Sequence, residues 1–225
     1  MLKIGKIIKA RITITDWMLG TAPKDKEIYG TWVASKNPDK TPETIAEEVA
    51  TIKTDDVTKN TPTMTCFPRD LEGRPFVFAY QFKGFLKAAC GALARIPGTE
   101  SSDLKARMKV ITGTVKVGPK WSPITVGKLP EFDPNNISYP PKDAPVGTLA
   151  TCQRPLRVND ASGERTCLAI SEAVPPGSTF DFEIQLLNPK LEDLIRELLD
   201  YGDFGPGLLQ WRNSGKGAFT WEELV

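Results

Sequence analysis

The sequence contains no histidine at all. Histidine is the commonest general base and the commonest transition-metal ligand in proteins. Its absence excludes Ser-His-Asp and Cys-His catalysis for this chain acting alone. Metal-dependent chemistry on paired carboxylates is left open, but the adjacent pair Asp55–Asp56 is more typical of a solvated turn. We therefore expect a protein that is not an enzyme.

Cysteine is also scarce, with four residues at Cys66, Cys90, Cys152 and Cys167. They are scattered, and no two of them form the C-x-x-C spacing that is typical of zinc sites. Four reduced and mostly buried thiols in a cytoplasmic protein are the better interpretation. We accordingly expect no metal and no cofactor.

The chain has no apolar run of the roughly 20 residues that span a bilayer, and its first residues lack the pattern of a secretory signal. A cytoplasmic protein without a membrane partner is expected. The 29 basic residues nearly balance the 28 acidic ones, which leaves a net charge of +1. The protein is therefore not globally basic, and any affinity for phosphate must come from local patches.

Hydrophobic periodicity predicts an α+β fold. Alternation predicts strands over Lys6–Thr15 and Thr179–Leu187, and 3.6-residue spacing predicts helices over Tyr80–Ile96 and Pro189–Gly202. A strand pair is predicted within Val110–Val126. On the first strand, Lys9 and Arg11 face away from the apolar side and are interpreted as a solvated face.

The domain organisation is predicted to be a single domain over residues 1–225. Residues 16–65 have weak periodicity and read as an inserted arm with a short helix at Thr41–Ile52, which begins with a capping threonine followed by proline. Residues 127–148 are rich in proline and glycine and read as a long loop.

The segment "GLLQWRNSGKGAF", Gly207–Phe219, combines glycines with cations. Glycines allow backbone N–H groups to face a phosphate as a nest does, and tryptophan can stack on a base. The alternative is a helix stop, a turn and a last strand, with Trp211 in the core. The candidate phosphate or base contacts here are Trp211, Arg212, Ser214, Gly215, Lys216 and Gly217.

Three segments together resemble the RAMP superfamily of CRISPR systems, whose members bind guide RNA on a ferredoxin-like, RRM-type core. They are "YQFKGFLKAAC" (Tyr80–Cys90), "VPPGSTFDFEI" (Val174–Ile184) and the loop Gly207–Phe219. The first segment lacks the paired serines of the family motif. The sequence as a whole also resembles proteins encoded by phages and prophages of bacteria. If the protein is encoded by a phage, the resemblance implies a location in the cytoplasm of the bacterial host.

The resemblance implies a ferredoxin-like core of antiparallel sheet with helices on one face. It also implies phosphate contacts at Lys83 and Lys87 of the first helix and at Arg212, Ser214 and Lys216 of the terminal loop. For the two lysines, a solvated helix face is the alternative.

A second basic cluster lies in "CQRPLRVNDASGER", Cys152–Arg165, which is predicted to form a hairpin. Arg154 and Arg157 are candidate nucleic-acid contacts, because hairpin strands can project cations into a groove. The alternative is cross-strand pairing with Asp160 and Glu164.

The resulting hypothesis is a non-catalytic protein that binds single-stranded nucleic acid, RNA rather than DNA by resemblance. It would assemble as repeated subunits or in a larger complex, with the arm contacting a neighbour. Two alternatives stay open, and the near-neutral charge favours them. One is a phage protein that binds or mimics a component of a host defence complex, and the other is a viral structural or assembly protein.

Overall fold

The computed structural model describes residues 5–24, 28, 29, 31, 32, 35, 64–104, 107–131, 136–145, 147–160 and 163–224. The predicted helix at Thr41–Ile52 and the Asp55–Asp56 pair lie outside the described residues, as does most of the predicted arm. The arm therefore stays a prediction.

Twelve strands and four α-helices have both ends within the described residues. The strands are β1 (Ile7–Ile14), β2 (Met18–Leu19), β3 (Ala22–Pro23), β4 (Met64–Cys66), β5 (Phe76–Phe78), β6 (Val115–Gly118), β7 (Trp121–Pro123), β8 (Ile137–Ser138), β9 (Ala150–Asp160), β10 (Gly163–Val174), β11 (Thr179–Leu186) and β12 (Phe219–Glu223). The helices are α1 (Ala79–Leu93), α2 (Glu100–Asp103), α3 (Arg107–Thr114) and α4 (Glu192–Asp200), with 3₁₀ turns at Pro189–Leu191 and Arg212–Ser214.

These elements group into two compact units. The first comprises Met1–Met18, Val77–Lys128 and Pro175–Val225, and the second comprises Leu19–Phe76 and Leu129–Val174. None of the helices in the described ranges is long and apolar enough to cross a membrane.

The first unit is built on a four-stranded sheet with the order β12-β1-β11-β6, in which all neighbours are antiparallel. Along the chain these strands come in the order β1, β6, β11, β12, with α1 after the first and α4 after the third. A β-α-β-β-α-β chain with the spatial order 4-1-3-2 is the ferredoxin-like arrangement. The α+β prediction is therefore confirmed.

The core of this unit forms on the helix side of the sheet. Ile8, Ala10, Ile12 and Ile14 of β1 are at most 1% exposed, as strict alternation requires of a strand with one buried face. An aromatic cluster joins the sheet to α1: the ring of Phe82 stacks on Phe182 at 4.7 Å, and Phe85 meets Phe219 edge-on at 4.9 Å between ring centroids. Such pairs add to the stabilisation from burial.

The two strands predicted within Val110–Val126 are present as β6 and β7, but the first of them begins later than predicted. Residues up to Thr114 belong to α3, and the strand begins at Val115. A gap in the strand follows at Gly118-Pro119, after which β7 begins at Trp121. The alternation of residues over Val110–Val117 predicts a strand, but its first few residues fit one turn of a helix equally well. The sequence pattern alone therefore does not distinguish a strand from a helix there.

The second unit is organised around the β9–β10 hairpin, which runs in register from Ala150↔Ala173 to Asp160↔Gly163. β8 pairs with the base of β9, and β4 pairs with the base of β10. β8 lies within the predicted long loop at 127–148. Further out, the two strands of the hairpin pair only with each other among the described residues, and Leu156 and Leu168 are exposed there.

Candidate functional site

The glycines of the terminal loop allow two backbone segments to touch. Leu208 donates its N–H to the carbonyl of Gly217 at 2.8 Å. A Cβ on Gly207 would lie 2.2 Å from the Lys216 carbonyl oxygen, and one on Gly217 would lie 2.3 Å from the Leu208 carbonyl oxygen. Only glycine fits at such distances. These two glycines are thus required for close packing within the loop.

The backbone N–H groups that were expected to face a phosphate are occupied. Gly207 and Gly215 both donate to the Arg212 carbonyl, at 3.4 Å and 3.1 Å, and Gly217 donates to the Trp17 carbonyl at 2.8 Å. The predicted nest is therefore not formed by these three groups in the structure. Gly215 instead ends the 3₁₀ turn with a left-handed backbone (φ 83°).

Lys216 lies inside the loop rather than on its surface. Its side chain is 10% exposed, and its Nζ donates to both carboxylate oxygens of Asp16, at 3.0 Å and 3.1 Å. Asp16 also accepts the N–H of Trp17 at 2.7 Å. The pair joins the loop to the end of β1. The sequence showed no motif around Asp16, so this role was missed.

Trp211 and Arg212 are adjacent and both exposed. Leu209 and Trp211 have left-handed backbones, with φ of 65° and 55°. Such a conformation is rare for non-glycine residues, costs on the order of 1–3 kcal/mol, and tends to occur at functional sites. Trp211 is 40% exposed, so it does not lie in the core, although the turn and the last strand of the alternative interpretation are both present. Ser214 is also exposed.

Phe204 stands out on the approach to this loop, because it is 90% exposed. It was not among the predicted site residues, although a phenylalanine between aspartate and glycine in "YGDFGPG" is a signal for an exposed aromatic residue in a turn. We call Trp211 and Arg212 the loop surface.

The two lysines of α1 differ in their surroundings. Lys83 donates its Nζ to the Thr112 carbonyl at 3.0 Å and to the Val115 carbonyl, so it joins α1 to the end of α3. Burial lowers the pKa of Lys83, and the charge of Lys87 lowers it further. Lys87 is partly exposed. Of the pair, Lys87 is better placed to meet a ligand, whereas Lys83 has a structural role in this geometry.

The hairpin arginines belong to the second unit and form a separate surface. Arg157 is 82% exposed and lies 3.5 Å from Glu164, which is the cross-strand pairing considered as the alternative. An ion pair this exposed contributes little to stability, so it does not prevent Arg157 from meeting a phosphate. Arg154 is half-buried. The side chain of Asp160 lies outside the described residues.

The sheet of the first unit has a groove on the face opposite the helices, with a volume of about 820 Å³. Four cations line it, Lys9, Arg11, Lys116 and Lys120, against two acidic residues, Asp181 and Glu183. From the sequence, Lys9 and Arg11 were expected to form a solvated face. The groove was not predicted, because Lys116 and Lys120 are more than a hundred residues away in the chain.

Arg11 is fixed in this groove by Asp181. Its Nε and Nη2 donate to the two carboxylate oxygens, each at 2.9 Å, and Glu222 lies 3.9 Å away. The hydrogen bond and the charge of Asp181 raise the pKa of Arg11. Such a bidentate pair sets the geometry of both partners.

No group of three or more histidine, cysteine, aspartate or glutamate side chains suited to a metal ion occurs in the described part of the chain. No protein-family model matches the sequence, and no curated protein matches it.

The solved structures that are similar to this chain include the following two. One is a chain in the cryo-EM structure of the Type III-B Cmr-beta bound to cognate target RNA, with a TM-score of 0.44 and 11% identity over 97% of this chain. The chain spans 58% of the length of that neighbour. The other belongs to a Type IV-B CRISPR complex, with a TM-score of 0.44 and 14% identity, covering 98% of this chain and 91% of that one. The assignment of the fold rests on the strand order itself.

Proposed function

We propose that this protein binds single-stranded RNA without cleaving it, and that the loop surface meets the strand. The observation that carries the proposal is the exposure of Trp211 and Arg212 side by side on a constrained turn. An aromatic ring can stack on any base, and an adjacent guanidinium can hold the neighbouring phosphate.

The construction of the loop supports this proposal. Backbone packing at Gly207 and Gly217 and the Lys216–Asp16 ion pair stabilise the turn from beneath. The left-handed backbone at Trp211 is maintained by these contacts rather than by its own preference. A turn held in this way presents its side chains with little entropy left to lose on binding.

We further propose that the chain is a RAMP-like subunit, encoded by a phage or prophage, that assembles in repeated copies. The placement of the three resembling segments supports the RAMP-like part of this proposal. They fall on α1, on β11 with its preceding turn, and on the loop before β12, which are the first helix, the third core strand and the last loop of a ferredoxin-like unit. RNA is preferred over DNA because of that resemblance.

The test is fluorescence anisotropy of a labelled single-stranded RNA, titrated with the full chain at several salt concentrations. We expect log affinity to fall linearly with log salt, with a slope of about −0.7 per phosphate contact. Trp211→Ala is expected to weaken binding about tenfold, because base stacking contributes about 1–3 kcal/mol and 1.4 kcal/mol equals a factor of ten. Arg212→Ala is expected to reduce the salt slope by about one contact.

The matched control is Arg95→Ala, which removes an exposed arginine elsewhere in the first unit. It is expected to bind RNA like the unmodified protein. Absence of binding to RNA and to matched single-stranded DNA at low salt would overturn the proposal. Equal losses for Arg95→Ala and Arg212→Ala would show that binding is diffuse and does not use the loop.

A second candidate function is binding to a protein partner, which the exposed ring of Phe204 favours. Exposed aromatic residues are enriched at the centres of protein interfaces. This candidate covers a host defence component and other copies of this chain in a viral assembly. If the partner is another copy of this chain, light scattering is expected to show self-association in the absence of nucleic acid. Phe204→Ser is expected to lose that association and to leave RNA binding unchanged.

A further inference from the structure

The sheet-face groove is a separate feature from the loop surface, and it is made of residues that the proposed function does not use. Its floor is the side of the β1, β11 and β6 strands that faces away from the helices. Cross-strand register defines its layout: Lys9 lies opposite Glu183, Arg11 opposite Asp181, and Lys116 opposite Gln185.

The charges of the groove favour an anion. Asp181 is already engaged by Arg11 through two hydrogen bonds. Among the described residues, Lys9 and Lys116 have no side-chain hydrogen bond or ion pair, and both are exposed. Glu183 is the one acidic residue of the lining that is not engaged in this way within the described chain. Over its whole lining, the groove has four basic side chains and two acidic ones.

The two lysines are positioned to act together. They lie on strands separated by β11, which places their backbones about 10 Å apart in the direction of the inter-strand hydrogen bonds. Gln185 stands between them, opposite Lys116 and diagonal to Lys9. Two flexible ammonium groups and an amide from neighbouring positions can converge on one phosphate or hold two consecutive ones.

The groove also has room for a flat group beside that charge. Gly118 forms part of its lining, and a Cβ built there would meet nothing within 4 Å. Pro119 and Pro123 supply apolar surface next to this gap. A volume of about 820 Å³ lies within the usual range for small-molecule sites, in which apolar walls and a few placed polar groups occur together.

We propose that the sheet-face groove binds a nucleoside phosphate unit, with the phosphate at Lys9 and Lys116 and the base over Gly118. The unit is either a free mononucleotide or one residue of an RNA strand, since both present the same chemistry. This site does not depend on the loop surface, and either one can bind without the other.

The test uses the ¹⁵N-labelled full chain and follows backbone amide shifts by NMR. The probes are adenosine 5′-monophosphate, uridine 5′-monophosphate, inorganic phosphate and a tetranucleotide RNA. We expect saturable shifts at Lys9, Gln185 and Gly118. Lys9→Ala/Lys116→Ala is expected to weaken binding at least tenfold, and Gly118→Leu, which fills the gap, is expected to abolish the nucleotide-induced shifts.

Matched controls separate the groove from general effects. Lys109→Ala/Lys190→Ala removes two exposed lysines outside the groove, and Gly91→Leu adds a leucine at an open position of α1. Both are expected to bind as the unmodified protein does. If Gly118→Leu does not fold, Lys9→Glu/Lys116→Glu takes its place, because it changes only exposed side chains.

Each outcome of the titration either supports or overturns binding at the groove. Groove shifts with mononucleotides support a free nucleotide as the ligand, and groove shifts with the RNA alone support a strand. Absence of groove shifts with every probe at millimolar concentration overturns the proposal, as do shifts that persist unchanged in both groove variants. The same spectra report Trp211 and Arg212 separately, so failure of the groove is distinguishable from failure of the loop surface.

Discussion

Lys216 was predicted as a phosphate contact, yet its ammonium group is paired with Asp16 and largely buried. Lys216→Met removes the charge and keeps most of the apolar stem. The asparagine variant Asp16→Asn removes the opposite charge with little change in shape. Both changes leave the backbone contacts between Gly217 and Trp17 in place.

The size of the effect follows from the burial of the two partners. Breaking a fully buried ion pair costs about 3–5 kcal/mol, and an exposed pair contributes about 0–1 kcal/mol. The Lys216 side chain is 10% exposed but that of Asp16 is 38% exposed, so solvent screens the pair from one side. We expect Lys216→Met to lower the free energy of unfolding by about 1–2 kcal/mol, or Tm by about 2–8 °C at about 2–4 °C per kcal/mol.

The assay is thermal and urea unfolding of both single variants and the double variant, followed by the RNA titration. A double-mutant cycle is expected to give a coupling of about 1 kcal/mol between the two positions. RNA affinity of Lys216→Met is expected to fall less than that of Arg212→Ala. If Lys216→Met leaves stability unchanged and loses as much RNA affinity as Arg212→Ala does, this reasoning is refuted and Lys216 contacts the RNA.

Two further predictions concern stability. Burial alone would raise the pKa of Asp70, but hydrogen bonds from the Arg74 side chain, the Arg74 N–H and the Glu72 N–H outweigh it and lower that pKa. A lowered pKa in the folded state means that this contribution is present above the unfolded value of about 3.9 and is lost as pH falls through the folded pKa. Asp70→Asn is therefore expected to unfold with a shallower acid dependence below about pH 4 in urea titrations, and an unchanged dependence would contradict this. Phe82→Ala, in the aromatic cluster, is expected to cost about 3–5 kcal/mol in urea unfolding, whereas a loss below about 1 kcal/mol would mean that the cluster does not hold α1 to the sheet.

The core strands and helices were predictable because each has a strong period of its own. β1, β11, α1 and α4 all appear within two or three residues of their predicted ends, since alternation or 3.6-residue spacing is set by the single face that each buries. α3 was harder, because the alternation around Val110 fits a strand as well as one helical turn. The prediction also included the 3₁₀ turn at Pro189–Leu191 in α4, because the turn leads directly into that helix.

The candidate site was less predictable, because its contacts join distant parts of the chain. Nothing near Asp16 indicates a lysine two hundred positions later, and nothing near Lys9 indicates Lys116 across β11. Glycine is ambiguous in a sequence: the same residue serves a phosphate nest or a close backbone contact. In the terminal loop, Gly207 and Gly217 make the close contact.

The position of β1 between β11 and β12 has a consequence for how the protein is made. β1 pairs with two strands that are synthesised much later than it is, as in the pairs Ile7↔Gln185 and Ile14↔Phe219. Loop-closure entropy must be overcome before such distant pairings are rewarded, which slows folding. During synthesis, both edges of β1 therefore stay unpaired until β11 and β12 have emerged from the ribosome. The β9–β10 hairpin joins strands that are neighbours in the chain, so it can form as soon as it emerges. An emerging chain with an open apolar strand is exposed to aggregation, so a chaperone that shields β1 is expected to raise the yield of folded protein.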